Sequence, residues 1–179
     1  MTTGILLTLI RKMPMESKLM AIFCGLCLAY GNAFAQNRIQ DLPPFERSVA
    51  IIKHFEKMHP PSAYPYIGYG HKVLPNEKYT SAITEKQADS LLRSDLKKLV
   101  DKCSYLGKDA ILVATLAYNV GLYRIIGCEK LPKSTLVRKL EAGDRNIYRE
   151  YIAYCHYKGK AVPSLELRRR LEFYLLYVP

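Results

Sequence analysis

Residues 55–71 read Phe55-Glu56-Lys57-Met58-His59-Pro60-Pro61-Ser62-Ala63-Tyr64-Pro65-Tyr66-Ile67-Gly68-Tyr69-Gly70-His71. Upstream, Phe45, Val49, Ile52 and Phe55 recur at helical spacing, which predicts a helix over 45–57. Pro60-Pro61 stops it, so Glu56 falls at its C-terminal end. The Gly68-Tyr69-Gly70-His71 turn, flanked by aromatics, predicts a tight hairpin within 62–73, because glycine reaches positive φ without steric cost. A hairpin folded back over a helix end shields a carboxyl there from water. Shielding disfavours the ionised form of a carboxylic acid, which is what general-acid chemistry near neutral pH requires.

The remainder of the chain follows the same rules. Thr84-Glu85-Lys86-Gln87 is a capping box that opens a helix running to Lys102, with Ala88, Leu91, Leu92, Leu96, Leu99 and Val100 as its apolar stripe. Asp109 is expected to cap the next helix. Its body, Ala110 to Ala117, is apolar on all sides and so belongs at the centre of a domain. Gly121 suits a left-handed C-cap. Ser134 caps a short helix that stops at Gly143, and Asp144 starts another with Ile147, Tyr148, Tyr151, Ile152 and Cys155 on one face. Lys158-Gly159-Lys160 turns the chain. Ser164, after Pro163, is expected to cap a last helix through Leu167, Leu171, Tyr174 and Leu175. About six helices and one small hairpin make a mainly helical α+β domain.

Composition limits the rest. The chain has 179 residues, enough for one domain with a core. Its apolar fraction of 49% excludes a disordered chain. The formal charge is +11, which favours anionic partners such as nucleic acid, acidic lipid or a bacterial wall. Lys18, the apolar run Leu19 to Tyr30 and Ala33-Phe34-Ala35 together read as an export signal. The run is short for a membrane span, although an uncleaved anchor is the alternative. The expected organisation is a signal over 1–35, with Met15 as an alternative start, a linker over 36–44 and a folded domain over 45–179. The protein is expected in the periplasm or outside the cell, monomeric, with no stable membrane insertion after cleavage. Phe23 and Leu26 stand before Cys24 and Cys27 where a lipoprotein needs a small residue. Cys103, Cys128 and Cys155 remain in the mature chain, either as one disulfide of unspecified pairing plus a thiol, or as three buried thiols.

Several of these stretches together resemble the phage-type lysozymes, glycoside hydrolase family 24. Glu56 matches the family's helix-terminal acid, and Ile67 to His71 match its glycine-hinged turn. Tyr118-Asn119-Val120-Gly121, Ser134-Thr135-Leu136, Lys139 to Asp144, and Ser164 to Arg169 followed by Glu172 match later segments in family order. The resemblance implies a lysozyme-like fold, with a small β-hairpin packed against a helical bundle. It implies cleavage of the β-1,4 bond between N-acetylmuramic acid and N-acetylglucosamine in peptidoglycan glycan strands, with Glu56 as general acid. The chain departs from the pattern where the family has an Asp, which is missing, and where Tyr66 stands in place of Thr. A wall-binding relative without turnover is therefore the alternative.

Glycoside hydrolysis needs a second group besides the acid. Tyr66 can donate or accept a hydrogen bond and orient a water; His59 and Ser62 are further candidates. Glu77 is the nearest downstream carboxylate, expected in solvent. By resemblance Gly68, Tyr69, His71 and Asn119 belong to the substrate side, with His71 paired to a buried polar group. The run Arg168-Arg169-Arg170 reads either as a solvated helix face or, by resemblance, as a structural or substrate-side tie. No metal or cofactor is implied: His54, His59, His71 and His156 lack ligand spacing, and Gly68-Tyr69-Gly70 lacks the rest of a dinucleotide loop. A nucleic-acid partner is not expected, given the export signal and the lack of a recognised motif.

Overall fold

The computed structural model describes residues 39–179. The expected export signal and the first three residues of the expected linker, 36–38, lie outside them. Residues Pro44–Pro179 form one compact unit, built on seven α-helices and two short hairpins among the described residues. In chain order these are α1 (Pro44–Glu56), β1 (Tyr66–Ile67), β2 (His71–Lys72), α2 (Glu85–Cys103), α3 (Ala110–Val120) and α4 (Tyr123–Ile126). Then come α5 (Thr135–Glu141), α6 (Tyr148–Ile152), β3 (His156–Tyr157), β4 (Lys160–Ala161) and α7 (Pro163–Leu176).

The all-apolar segment becomes α3, the central helix. Ala110, Leu112, Val113, Ala114, Thr115, Leu116 and Ala117 are all buried on it. It packs on α1, α2 and α7. Thr115, its one buried hydroxyl, is satisfied by the Ile111 carbonyl one turn back and by Ser48 of α1. The predicted capping box opens α2: Thr84 accepts from Gln87 N–H, and the Gln87 side chain accepts from Thr84 N–H. Arg93 reaches from α2 to Glu46 of α1 with two parallel hydrogen bonds of 2.6 and 2.9 Å. Ser134 caps α5 as predicted, accepting from Val137 N–H.

Three predicted caps take other roles. Asp109 makes no cap bond; its carboxylate holds Arg145 in a bidentate pair, a charge-assisted interaction stronger than a cap. Asp144 accepts from Asn146 N–H in a local turn, and the helix begins later, at Tyr148. Ser164 lies inside α7, because Pro163 already occupies the first helical position with φ preset. Gly121 has φ 91 and ψ 132, positive in φ but outside the left-handed helical region. The α4 turn and the β3–β4 hairpin are additions to the sequence reading. Cys103 and Cys155 are buried and Cys128 is exposed, all three as free thiols.

The first hairpin pairs Tyr66 with Lys72 and Ile67 with His71. Gly68 has φ 56, and a Cβ there would stand 2.9 Å from the Ala88 Cβ of α2. The turn therefore sits directly on α2, and two constraints, backbone and space, require glycine. Gly68→Ala should lower stability by about 2 kcal/mol. The urea midpoint checks this, with the m-value unchanged.

Candidate active site

Glu56 is the last residue of α1, and its side chain is 22% exposed. Lys57 follows with φ 55, a left-handed residue that turns the chain out of the helix. Both hydrogen bonds to the carboxylate fall on one oxygen. Oε1 accepts from Arg168 Nη1 at 2.7 Å and from Asn119 Nδ2 at 3.3 Å. Oε2 accepts no hydrogen bond among the described residues.

Arg168 and Asn119 belong to a closed ring of charges and amides. Arg168 Nε donates to Glu172 Oε1 at 2.9 Å. Glu172 Oε2 lies 3.1 Å from Arg169 Nη1. Arg169 Nη2 donates to Asn119 Oδ1 at 2.9 Å, which returns to Glu56. Asn119 is thereby oriented by its own two ends, oxygen to Arg169 and nitrogen to Glu56. Tyr151 donates its hydroxyl to Glu172 Oε2 at 2.9 Å. Of the two readings of the arginine run, a solvated face does not hold for Arg168 and Arg169, which are 3% and 0% exposed. Glu172, at 0%, is buried with them.

Burial penalises both guanidinium charges, but the outcomes differ. At Arg168 burial opposes the charge, while Glu172 and Glu56 outweigh it and raise the pKa. At Arg169 burial prevails over Glu172 and lowers it. The difference follows from geometry, since Arg168 touches two carboxylates and Arg169 one. Burial also pushes the Tyr118 phenol up, with Asp95 and Glu56 acting in the same direction. Tyr118 therefore stays a donor and gives its proton to the Tyr69 carbonyl at 3.0 Å, tying α3 to the hairpin turn.

The other predicted site residues belong to the first hairpin and its turn. Tyr69 is 6% exposed; its hydroxyl donates to Glu85 and Lys53 lies over its ring. Gly68 rests on α2. His71 is buried between two carboxylates, with Nδ1 2.5 Å from Asp95 and Nε2 2.9 Å from Glu77. Glu77, expected in solvent, is instead committed to His71 and to Leu74 N–H. Tyr66 is 45% exposed, with its ring near His59. No carboxylate occurs over residues 57–76.

A helical bundle with a small hairpin tied next to an acid-bearing helix end is the lysozyme-like arrangement. Residues 54–172 match the phage lysozyme family, and the chain belongs to that family. An endolysin of Bacillus phage B103 is 32% identical over an alignment 146 residues long, which covers 71% of this chain and 51% of that protein. The chain thus spans about half the length of this relative. The muramidase domain of SpmX from Asticaccaulis excentricus has a similar fold, with a TM-score of 0.59 and 23% identity. That match covers 74% of this chain and 96% of the other.

Two predictions follow from the buried pairs. Glu172→Gln leaves two buried guanidinium groups short of their shared counter-charge and should cost about 3–5 kcal/mol, read from the urea midpoint. His71 supplies the second. Burial alone would lower its pKa, but hydrogen bonds to Asp95 and Glu77 prevail and raise it above the ordinary 6.5. A raised folded pKa means its contribution is complete below about pH 6.5 and is lost as pH rises through the folded value. The stability gap between the parent and His71→Gln should therefore shrink on going from pH 6 to alkaline pH. A gap independent of pH would exclude the ion-paired state.

Proposed function

We propose that this protein cleaves peptidoglycan, hydrolysing the β-1,4 bond between N-acetylmuramic acid and N-acetylglucosamine with Glu56 as general acid. The observation that carries the reading is the one-sided tethering of Glu56. Arg168 and Asn119 hold Oε1, and Oε2 is left for the substrate. Family membership and the similarity to an endolysin support the wall polymer as substrate.

In the acid step, the carboxyl O–H gives its proton to the glycosidic oxygen as the bond to the sugar carbon breaks. The carboxylate that remains faces Arg168 at 2.7 Å, so charge developing on Glu56 meets a preplaced cation that need not reorganise. Tyr66 is the proposed second group, its exposed phenol orienting the attacking water. Asn119 acts next to the acid; Gly68, Tyr69 and His71 serve by holding the turn in place. The basic chain is drawn to an anionic wall. Residues 1–35 are proposed to export it, and residues 45–179 to be the catalytic domain.

The test is release of new reducing ends from purified sacculi. The parent chain should release them, Glu56→Gln about a hundredfold more slowly or worse, and Tyr66→Phe about tenfold more slowly. A parent no faster than Glu56→Gln would end the enzymatic reading.

A further inference from the structure

The β3–β4 hairpin has no part in the core. His156, Tyr157, Lys158, Gly159, Lys160 and Ala161 are all exposed, and Tyr157 reaches 63%. Short two-strand ribbons are marginal by themselves, so something must fix this one. Its base does: Val162 N–H donates to the Cys155 carbonyl at 3.0 Å, and Cys155 is buried. The pairing of Tyr157 with Lys160 leaves Lys158 and Gly159 as a two-residue turn. Lys158 has φ 48 and Gly159 φ 77. Such a turn is suited to Asn-Gly; lysine at the first position is held in a conformation that non-glycine residues disfavour. Strain of this kind, at an exposed position where no packing demands lysine, points to a use for the side chain.

The hairpin segment itself carries one sign of charge, and the glutamates that flank it, Glu150 and Glu166, are paired with Lys139 and Arg170. Residues 151–165 contain Lys158 and Lys160 and no Asp or Glu. Neither lysine joins an ion pair among the described residues, and Lys158 Nζ lies 5.5 Å from the centre of the Tyr157 ring. An aromatic face flanked by two free ammonium groups suits a polymer that has sugar faces and carboxylates together. The hairpin leads directly into α7, and Arg168 follows Pro163 by about 8 Å along that helix. A long strand engaged at Glu56 is thus within reach of the hairpin.

Resting on the wall-polymer reading above, we propose that the β3–β4 hairpin is a second contact site for peptidoglycan. Tyr157 lies against a sugar ring, and Lys158 and Lys160 pair with carboxylates of the peptide stems.

The experiment measures cosedimentation with purified sacculi in the Glu56→Gln background, where turnover does not erode the ligand. Lys158→Asn combined with Lys160→Gln is the deciding variant. Asparagine accepts the left-handed turn, so an unchanged thermal midpoint certifies the fold. Binding at low salt should weaken about fivefold, with a shallower dependence on salt. The same loss should appear for the parent hairpin on sacculi whose carboxyl groups have been amidated. Tyr157→Ala should weaken binding at every salt concentration. Undiminished binding by the double variant overturns the proposal, as does adsorption to anionic phospholipid vesicles in preference to sacculi. Reducing-end release by the chain with Glu56 intact is followed in parallel. Cleavage without hairpin dependence removes this site alone, whereas neither cleavage nor binding removes the wall reading with it.

Discussion

Two buried arginines share one buried carboxylate, and much of this domain is arranged around the cost of that. An ion withdrawn from water is destabilising unless its hydrogen bonds and counter-charge are replaced. The replacement here comes in helical register. Glu172 lies four residues after Arg168 and three after Arg169, so all three side chains share one face of α7. Arg168 then donates to Glu56 on α1 and Arg169 to Asn119 on α3, while Arg168 Nη2 and Arg169 Nε and Nη1 have no hydrogen-bond partner among the described residues. Two positive and two negative charges close the ring, with Asn119 as its neutral link. Three helices that pack on one another for apolar reasons are thereby locked into a single relative position. Glu56 inherits that position, and Arg168 further stands over the Phe55 ring beside it.

The hairpin is fixed by a separate set of constraints. Gly68 allows it to touch α2, Tyr118 binds its turn to α3, and His71 bridges α2 and the 74–77 loop through two carboxylates. His59 N–H also donates to the Gly68 carbonyl, pinning the segment that leaves Glu56. The acid therefore stands at the joint between two independently anchored parts.

What could be read from the residues divides along physical lines. The central helix, the Thr84 box, the Ser134 cap and the first hairpin were legible, because each depends on neighbours within a few positions. The caps assigned to Asp109, Asp144 and Ser164 were not. Asp109 has a distant competitor, Arg145, whose two hydrogen bonds outbid a single backbone N–H. Pro163 preempts Ser164. Glu56, Asn119 and His71 stood out as residues, but their partners did not. Arg168, Arg169 and Glu172 have the composition of a solvated surface, and a charge run carries no local mark of burial. Glu77 likewise changed role, drawn from solvent onto His71.

By itself, the sequence determined a mainly helical domain of the lysozyme type, with a carboxylic acid at a helix end next to a glycine-hinged turn. Periodicity, capping and turn chemistry are short-range, and they survive without knowledge of what packs on what. The tertiary structure alone decided that Arg168 and Arg169 are interior, that one oxygen of Glu56 is tethered and the other open, and that His71 has two acidic partners. Those outcomes depend on burial, and burial is a property of the whole chain that no single stretch of it contains.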